Sequence, residues 1–508
     1  MDTSANNKRI AKNTLLLYFR MFITMAVGLY TSRIVLNVLG LSDYGVYNVV
    51  GGIITMVSFL NVAMVQASQR FLSFELGTGS LERLNTVFCT SVNIHFVICV
   101  IAVLIGETVG LWFVNSKLVI PEGRMVAANW VYQASILTFV VGVMSVPYNS
   151  SIVAHEKMSA FAYISILEVI LKLVIVYLLL VIPFDKLIAY SILMVLVSVG
   201  MRLCYTVYCK KHFEECTYHF IFDKKLSLEM FSFAGWSVFG NLGFSFKDQI
   251  SNIIVNLFFG PAVNAARGIG MHVASLVNTF ATNFTMAINP QITKQYAAGN
   301  LETSRQLVYT SSRYSFYLLS LVSIPLIINI GYILKLWLGI VPEYTSQFVV
   351  LSLLTSLLYV LSGSVTTAIQ ATGKIKWFQI GICVIMLSEL PVAWILLEFG
   401  LPPYSVMWPS IATYLISIIF RFWLIKRYVI GYHFGEYLFD VVLRSLLLFG
   451  LCYYLCSFLG QADGFIDLVV LSVISVCISA AVFLVLGISH TERSVLVNKI
   501  CILYGKKQ

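Results

Sequence analysis

Residues 32–52 read SRIVLNVLGLSDYGVYNVVGG. They join two long apolar runs, and part of this junction returns later in the chain. The hexapeptide S-x-I-x-x-N at Ser32, Ile34 and Asn37 recurs at Ser251, Ile253 and Asn256. Gly79-Ser80-Leu81-Glu82 is echoed by Gly299-Asn300-Leu301-Glu302, and Ile152-x-Ala154-x-x-Lys157 by Ile369-x-Ala371-x-x-Lys374. Three matches in the same order, each about 220 positions apart, predict a tandem duplication whose second copy starts near residue 230.

The material between these echoes is apolar. Of 508 residues, 59% are hydrophobic and 11% charged, against roughly a quarter charged in an ordinary soluble domain. The apolar residues come in runs of about 20, the length a helix needs to cross a hydrocarbon core of about 30 Å. Backbone groups in lipid must be satisfied internally, so helices are the expected spanning element. The fold class read from this is an all-α integral membrane protein of about 14 transmembrane helices. Two parallel six-helix lobes at 1–208 and 231–430 are separated by a polar connector at 209–230. Two further helices and a tail occupy 431–508.

Charge distribution gives the expected orientation. Lys and Arg gather near residues 8–12, 70–83, 157, 202–225, 294–313, 374–376, 421–444 and 493–507, whereas the opposite side has Lys117, Arg124, Lys186, Arg267 and Lys335. By the positive-inside rule both termini are cytoplasmic. The net charge of +10 is thereby explained without a nucleic-acid partner. The basic N-terminus leads into a long apolar run without a small-residue cleavage site, and reads as a retained first helix. An even number of spans per copy makes the repeats parallel, with a site expected between them.

Several chemistries find no support. The ten cysteines lie in apolar runs or on the cytoplasmic side, so no disulfide framework is implied. Cys452 and Cys456, four apart without a neighbouring His or acid, read as small core residues and not metal ligands. No P-loop, dinucleotide fingerprint, HExxH or GxSxG stands in a helpful context. No metal or organic cofactor is expected, and the outward connections are too short for an enzyme acting there.

Charges inside the spans are the site candidates, because intramembrane charge is costly and usually faces a bundle interior or a watery cavity. Arg20 and Arg33 lie in the first span, where either could also reach a membrane surface. Lys172 follows Glu168 by four residues, the spacing of an intrahelical pair. Lys247 and Asp248 are adjacent and point about 100° apart on a helix, so they should not share a partner. Asp248 belongs to a polar stripe, Asn241, Ser245, Asp248, Asn252 and Asn256; the next span carries His272, Ser275, Thr279, Thr282 and Asn289. Such stripes either glue helices or line a hydrated cavity. Glu389 is a lone acid, two residues before Pro391, which should open the helix locally. His95 and His272 read as helix-contact residues.

The pattern resembles the Wzx-type polysaccharide flippases, within the superfamily that includes multidrug extruders and lipid II flippases. The resemblance is carried by Leu39-Gly40-x-x-x-Tyr44-Gly45-x-Tyr47, Gln69-Arg70, the turn at Gly77 to Gly79, and His155-x-Lys157. It implies a bacterial inner-membrane secondary transporter that moves a polyprenyl-pyrophosphate-linked oligosaccharide by ion-coupled alternating access, for surface polysaccharide or lipopolysaccharide. Lipid-linked oligosaccharide and membrane lipids are the implied partners, with a polysaccharide polymerase and chain-length regulator as further candidates. Arg20, Arg33, Lys172 and Lys247, with Asn252 and Asn256, are the substrate-binding residues this implies. Asp248, Glu168 and Glu389 are the ion-coupling ones. A multidrug or cation extruder shares the architecture, and a membrane-embedded glycan polymerase or ligase and a non-transporting scaffold are the readings from other classes.

Overall fold

The computed structural model describes residues 3–55, 58–116, 118, 120–221, 223–429 and 431–488. Among them there are helices and turns and no strand. In chain order they form α1 (Thr3–Thr55), α2 (Ser58–Thr78), α3 (Leu81–Ile105), which a π turn at Gly106–Gly110 leads into α4 (Leu111–Ser116), α5 (Met125–Ala154), α6 (Met158–Val181) and α7 (Lys186–His212). The second series is α8 (Lys224–Ala297), α9 (Leu301–Ile328), α10 (Ile330–Leu338), α11 (Thr345–Leu361), α12 (Gly363–Ala371), α13 (Lys376–Leu387), α14 (Glu389–Glu398) and α15 (Trp408–Tyr428). It is followed by α16 (Phe434–Tyr437), α17 (Arg444–Ser457) and α18 (Phe465–Val482).

The two longest helices, α1 and α8, each break at a glycine in the left-handed region, Gly40 at φ 78° and Gly260 at φ 78°. Each break separates two expected spans: the first from the second, and the seventh from the eighth. Left-handed backbone also recurs at the other echoes: Gly79 (φ 80°) with Gly299 (φ 79°), and Glu156 (φ 59°) with Gly373 (φ 76°). The duplication read from short sequence matches is thus written in backbone torsions at the same positions.

Among the described residues ten helical segments are long and apolar enough to cross a membrane. Their burial sorts them. The apolar windows of Leu81–Ser116, Met158–Val181 and Phe465–Gly487 are only 17% buried, whereas that of Thr345–Ala371 is 72% buried. High hydropathy with low burial is what a lipid-facing helix needs, since its solvent is hydrocarbon. α9 is interior in another way: Ser311, Ser312, Ser315, Ser320 and Ser323 are all fully buried, and small side chains allow close approach of helices in a membrane. α11, α17 and α18 pack on it, and Ser364 Oγ donates to Ser311 Oγ at 2.8 Å.

The chain divides into two compact units. One contains Met1–Leu242, Met286–Asn300 and Gly373–Gln379; the other contains Gly243–Thr285, Leu301–Thr372 and Ile380–Gln508. In the first unit the ends of three elements meet at Glu156. Its carboxylate, on a side chain 1% exposed, accepts from Lys294 Nζ at 2.7 Å and from Gln291 Nε2 at 2.6 Å, while its carbonyl accepts from Asn13 Nδ2 at 3.1 Å. Its echo, Gly373, lies against the Arg70 guanidinium. The connector is anchored to α3: Asn85 Nδ2 donates to the carbonyls of Glu215 and Thr217 at 2.7 and 2.9 Å, and Asn93 Nδ2 to that of Ile221 at 2.8 Å.

At the start of α5, Arg124 joins α1 to the connection before α7. Its Nε donates to Asp43 at 2.8 Å, and its terminal nitrogens reach both Asp43 and Asp185. Asp185 also caps α7, accepting from the amides of Leu187 and Ile188. The Arg124 hydrogen bond, helped by these amides, holds the Asp185 carboxyl below the usual carboxylate range.

Candidate functional site

In the second unit the stretch of α8 between Gly243 and Gly260 carries Lys247, Asp248, Ser251 and Asn252 on successive turns. Past the Gly260 break the same helix brings back Arg267 and Met271. α14 supplies Glu389, and α15 supplies Ser410, Thr413 and Tyr414. All of these but Asn252 and Thr413 line a cavity of about 70 Å³, room for an ion or a few waters, and those two bond its charged side chains.

Its charges are paired and mostly buried. Lys247 Nζ lies 3.1 Å from Glu389 Oε1 and 3.7 Å from Asp248 Oδ1, with the Tyr414 ring 5.7 Å away. Glu389, 3% exposed, also accepts from Thr413 Oγ1 at 3.2 Å. Arg267, 4% exposed, donates to Asn252 Oδ1 and lies 4.0 Å from Asp248. The four charges sum to zero, which is what lets them exist at this burial. They are also graded in access: Glu389 is sealed in, and the Asp248 side chain is 41% exposed.

The local sequence explains the position of the acid. α13 ends at Leu387 and α14 starts at Glu389, with Ser388 Oγ bonded back to the Ile385 carbonyl at 2.7 Å. Pro391 has no amide to donate, so the ladder is interrupted where the carboxylate turns inward.

Sequence reasoning placed several of these residues and misplaced others. Lys247, Asp248, Asn252 and Glu389 come together. Glu389 is not the lone acid expected; Lys247 and Asp248 have different partners, Glu389 and Arg267, while also lying 3.7 Å from each other. Arg267, expected on the outer side, is instead an interior member of the cluster. It lies seven residues past Gly260, about two turns into the helix, so its distance from the break was the available signal. Arg421, assigned to the basic side, is likewise interior; it is 3% exposed and donates to Ser417 Oγ at 2.6 Å and Thr366 Oγ1 at 3.0 Å. Asn256 is exposed, one turn beyond Asn252.

The remaining candidates lie in the first unit. Lys172 Nζ is 2.6 Å from Glu168 Oε1, with both side chains about one-third exposed, the intrahelical pair that the spacing predicts. The Arg20 guanidinium sits 4.7 Å over the Phe161 ring. The Tyr205 hydroxyl, hydrogen-bonded with Ser165, lies near both Arg20 and Glu168. Arg33 belongs to α1, and its side chain is outside the described residues. His95 Nδ1 bonds the Ser91 carbonyl at 2.6 Å within its own helix. Cys452 and Cys456 are fully buried among core residues.

Comparison with known proteins places this architecture. Residues 237–395, which contain all four charged residues of the cluster, match the MatE family model. The fold matches the bent form of the Vibrio cholerae MATE transporter VcmN at TM-score 0.68 and 16% identity, covering 84% of this chain and 97% of that one. It also matches the outward-facing conformation of a multidrug resistance MATE family transporter of the MOP superfamily, at TM-score 0.69 and 12% identity over 83% and 95%. The MATE transporter ClbM in complex with Rb+ matches at TM-score 0.67 and 15% identity over 82% and 94%. No curated protein sequence matches this chain. Residues 237–395 thus match the MatE family model, and the chain as a whole is a multi-pass membrane protein whose fold is that of the solved MATE transporters.

Proposed function

We propose that this protein is an ion-coupled secondary transporter of an anionic amphiphile, a polyprenyl-pyrophosphate-linked oligosaccharide, which it moves between leaflets of the bacterial inner membrane by alternating access. The observation that carries this reading is the pairing of Lys247 with Glu389 and of Arg267 with Asp248. A cavity for organic cations needs acids free to bind them, and here both acids are already matched by buried cations. An arriving diphosphate would instead compete with Asp248 for Arg267 and Lys247, leaving an acid that takes up a proton or a monovalent cation. Substrate and ion would then exchange at one cluster, with Asn252 and Asn256 continuing the polar path. In this reading Arg20, Arg33 and Lys172 contribute cationic character in the first copy, with Glu168 as a second proton acceptor.

The alternative, a multidrug or cation extruder, is supported by the likeness of the fold to a multidrug resistance MATE family transporter. The two readings separate on the leaflet distribution of lipid-linked oligosaccharide in cells with and without the protein. Accumulation of intact repeat units facing the cytoplasm, with loss of surface glycan, is the expected result of deletion. Unchanged glycan pools with altered tolerance of cationic drugs would establish the extruder. Normal transfer with unpolymerised units gathering outside would overturn both and indicate a polymerase.

A further inference from the structure

The first unit carries an apolar groove of about 530 Å³ between α3, α5 and α7, within the range of roughly 300–1,000 Å³ common for ligand pockets. Val103, Trp130, Ala134, Leu137, Ile192 and Val195 line it, and Gln133 is the polar member of its wall. A groove so apolar in a membrane span will be filled by a hydrocarbon chain. Lipid tails are as apolar as the groove, however, so burial alone gives no preference for one lipid over another. Selection has to come from shape and from the polar group at the groove's end.

That group is Glu107. It lies one turn beyond Val103 on the π turn, is exposed, and accepts from Gln133 Nε2 at 3.0 Å. Among the described residues no basic side chain pairs with it. The π turn positions it: the Tyr132 hydroxyl donates to the Gly106 carbonyl at 2.6 Å, and a Cβ at Gly110 would fall 1.9 Å from that hydroxyl, so only glycine lets the turn sit against α5. Trp112 and Trp130, 55% and 50% exposed, mark the headgroup level, which puts the carboxylate just beneath it. An ionised acid near lipid is costly unless a cation joins it, and the cost is greatest toward the bilayer centre.

We propose that this groove is a binding site for an amine-headed phospholipid, with an acyl chain along α5 and the phosphoethanolamine ammonium on Glu107. The carboxylate disfavours an anionic head, so neither phosphatidylglycerol nor a polyprenyl phosphate is the occupant. The site is independent of the transported substrate.

The test is native mass spectrometry of the full-length protein with phosphatidylethanolamine, phosphatidylglycerol and undecaprenyl phosphate as competing probes. Phosphatidylethanolamine should be retained about fivefold over phosphatidylglycerol, the scale of one partly screened ion pair. Glu107→Gln should erase that preference while leaving total lipid bound unchanged. Ala134→Phe and Ile192→Trp, filling the groove from opposite walls, should each cut phosphatidylethanolamine binding about fivefold in protein that remains monodisperse. Retention of the preference in Glu107→Gln, undiminished binding in both filled variants, or stronger binding of either anionic lipid would overturn the proposal.

Discussion

The Lys247 ammonium and the Glu389 carboxylate, from α8 and α14, sit 3.1 Å apart with exposures of 7% and 3%. Neither charge is tenable at that burial without the other. Lys247→Met alone and Glu389→Gln alone should therefore each destabilise strongly, by about 3–5 kcal/mol where a lone charge is left buried, whereas the double variant should recover much of the loss. Thermal inactivation in detergent, analysed as a double-mutant cycle, measures the coupling. Additive losses would show that the two residues act separately.

Asp185 offers a pH-dependent check away from the membrane interior. Its folded carboxyl is held low, first by the Arg124 hydrogen bond. Its contribution is therefore fully present above the unfolded-state value and is lost as pH falls through the lower folded-state value. The pair is partly solvated, so the effect is about 1 kcal/mol or less. Asp185→Asn keeps a capping acceptor for α7 and removes only the charge. Melting temperature followed from neutral pH downward should fall more steeply for wild type than for this variant; parallel curves would mean that the ion pair contributes nothing.

These residues also mark what the sequence discloses. Apolar runs set by membrane thickness and the Glu168–Lys172 spacing are local signals, and both are found in the structure. The Lys247–Glu389 pair is not local: it depends on how α8 and α14 pack, which no periodicity within either helix records. Arg267 and Arg421 were drawn to the surface by a rule that counts basic residues near turns. That rule does not register that about two turns from a helix end is already the interior, where Asn252 satisfies Arg267, and Ser417 and Thr366 satisfy Arg421.

Glu156 combines an unfavourable backbone with favourable side-chain contacts. At φ 59° a non-glycine residue costs about 1–2 kcal/mol, and the carboxylate contacts with Gln291 and Lys294 offset it. Glu156→Ala should lose the contacts and keep the strain, for a net loss of about 2–3 kcal/mol. Glu156→Gly loses the same contacts but relieves the backbone, and should be more stable than the alanine variant by about 1 kcal/mol. Thermal melts of the two variants side by side check this. An alanine variant as stable as the glycine variant would mean that the turn adjusts and stores no strain.

The glycine breaks test the duplication itself. Gly40 and Gly260 share φ 78°, and at neither would an added Cβ meet a neighbouring atom within 4 Å. With ψ at 168° and −174° both lie in a region almost restricted to glycine, so substitution by alanine adds backbone strain without a clash, and the penalty should be the same at both, about 1–3 kcal/mol. Equal drops in melting temperature for Gly40→Ala and Gly260→Ala are expected, with a larger drop for β-branched valine at either position. If one site accepted alanine freely, the two breaks would not be equivalent. The torsional echo would then reflect separate local turns, not one motif used twice.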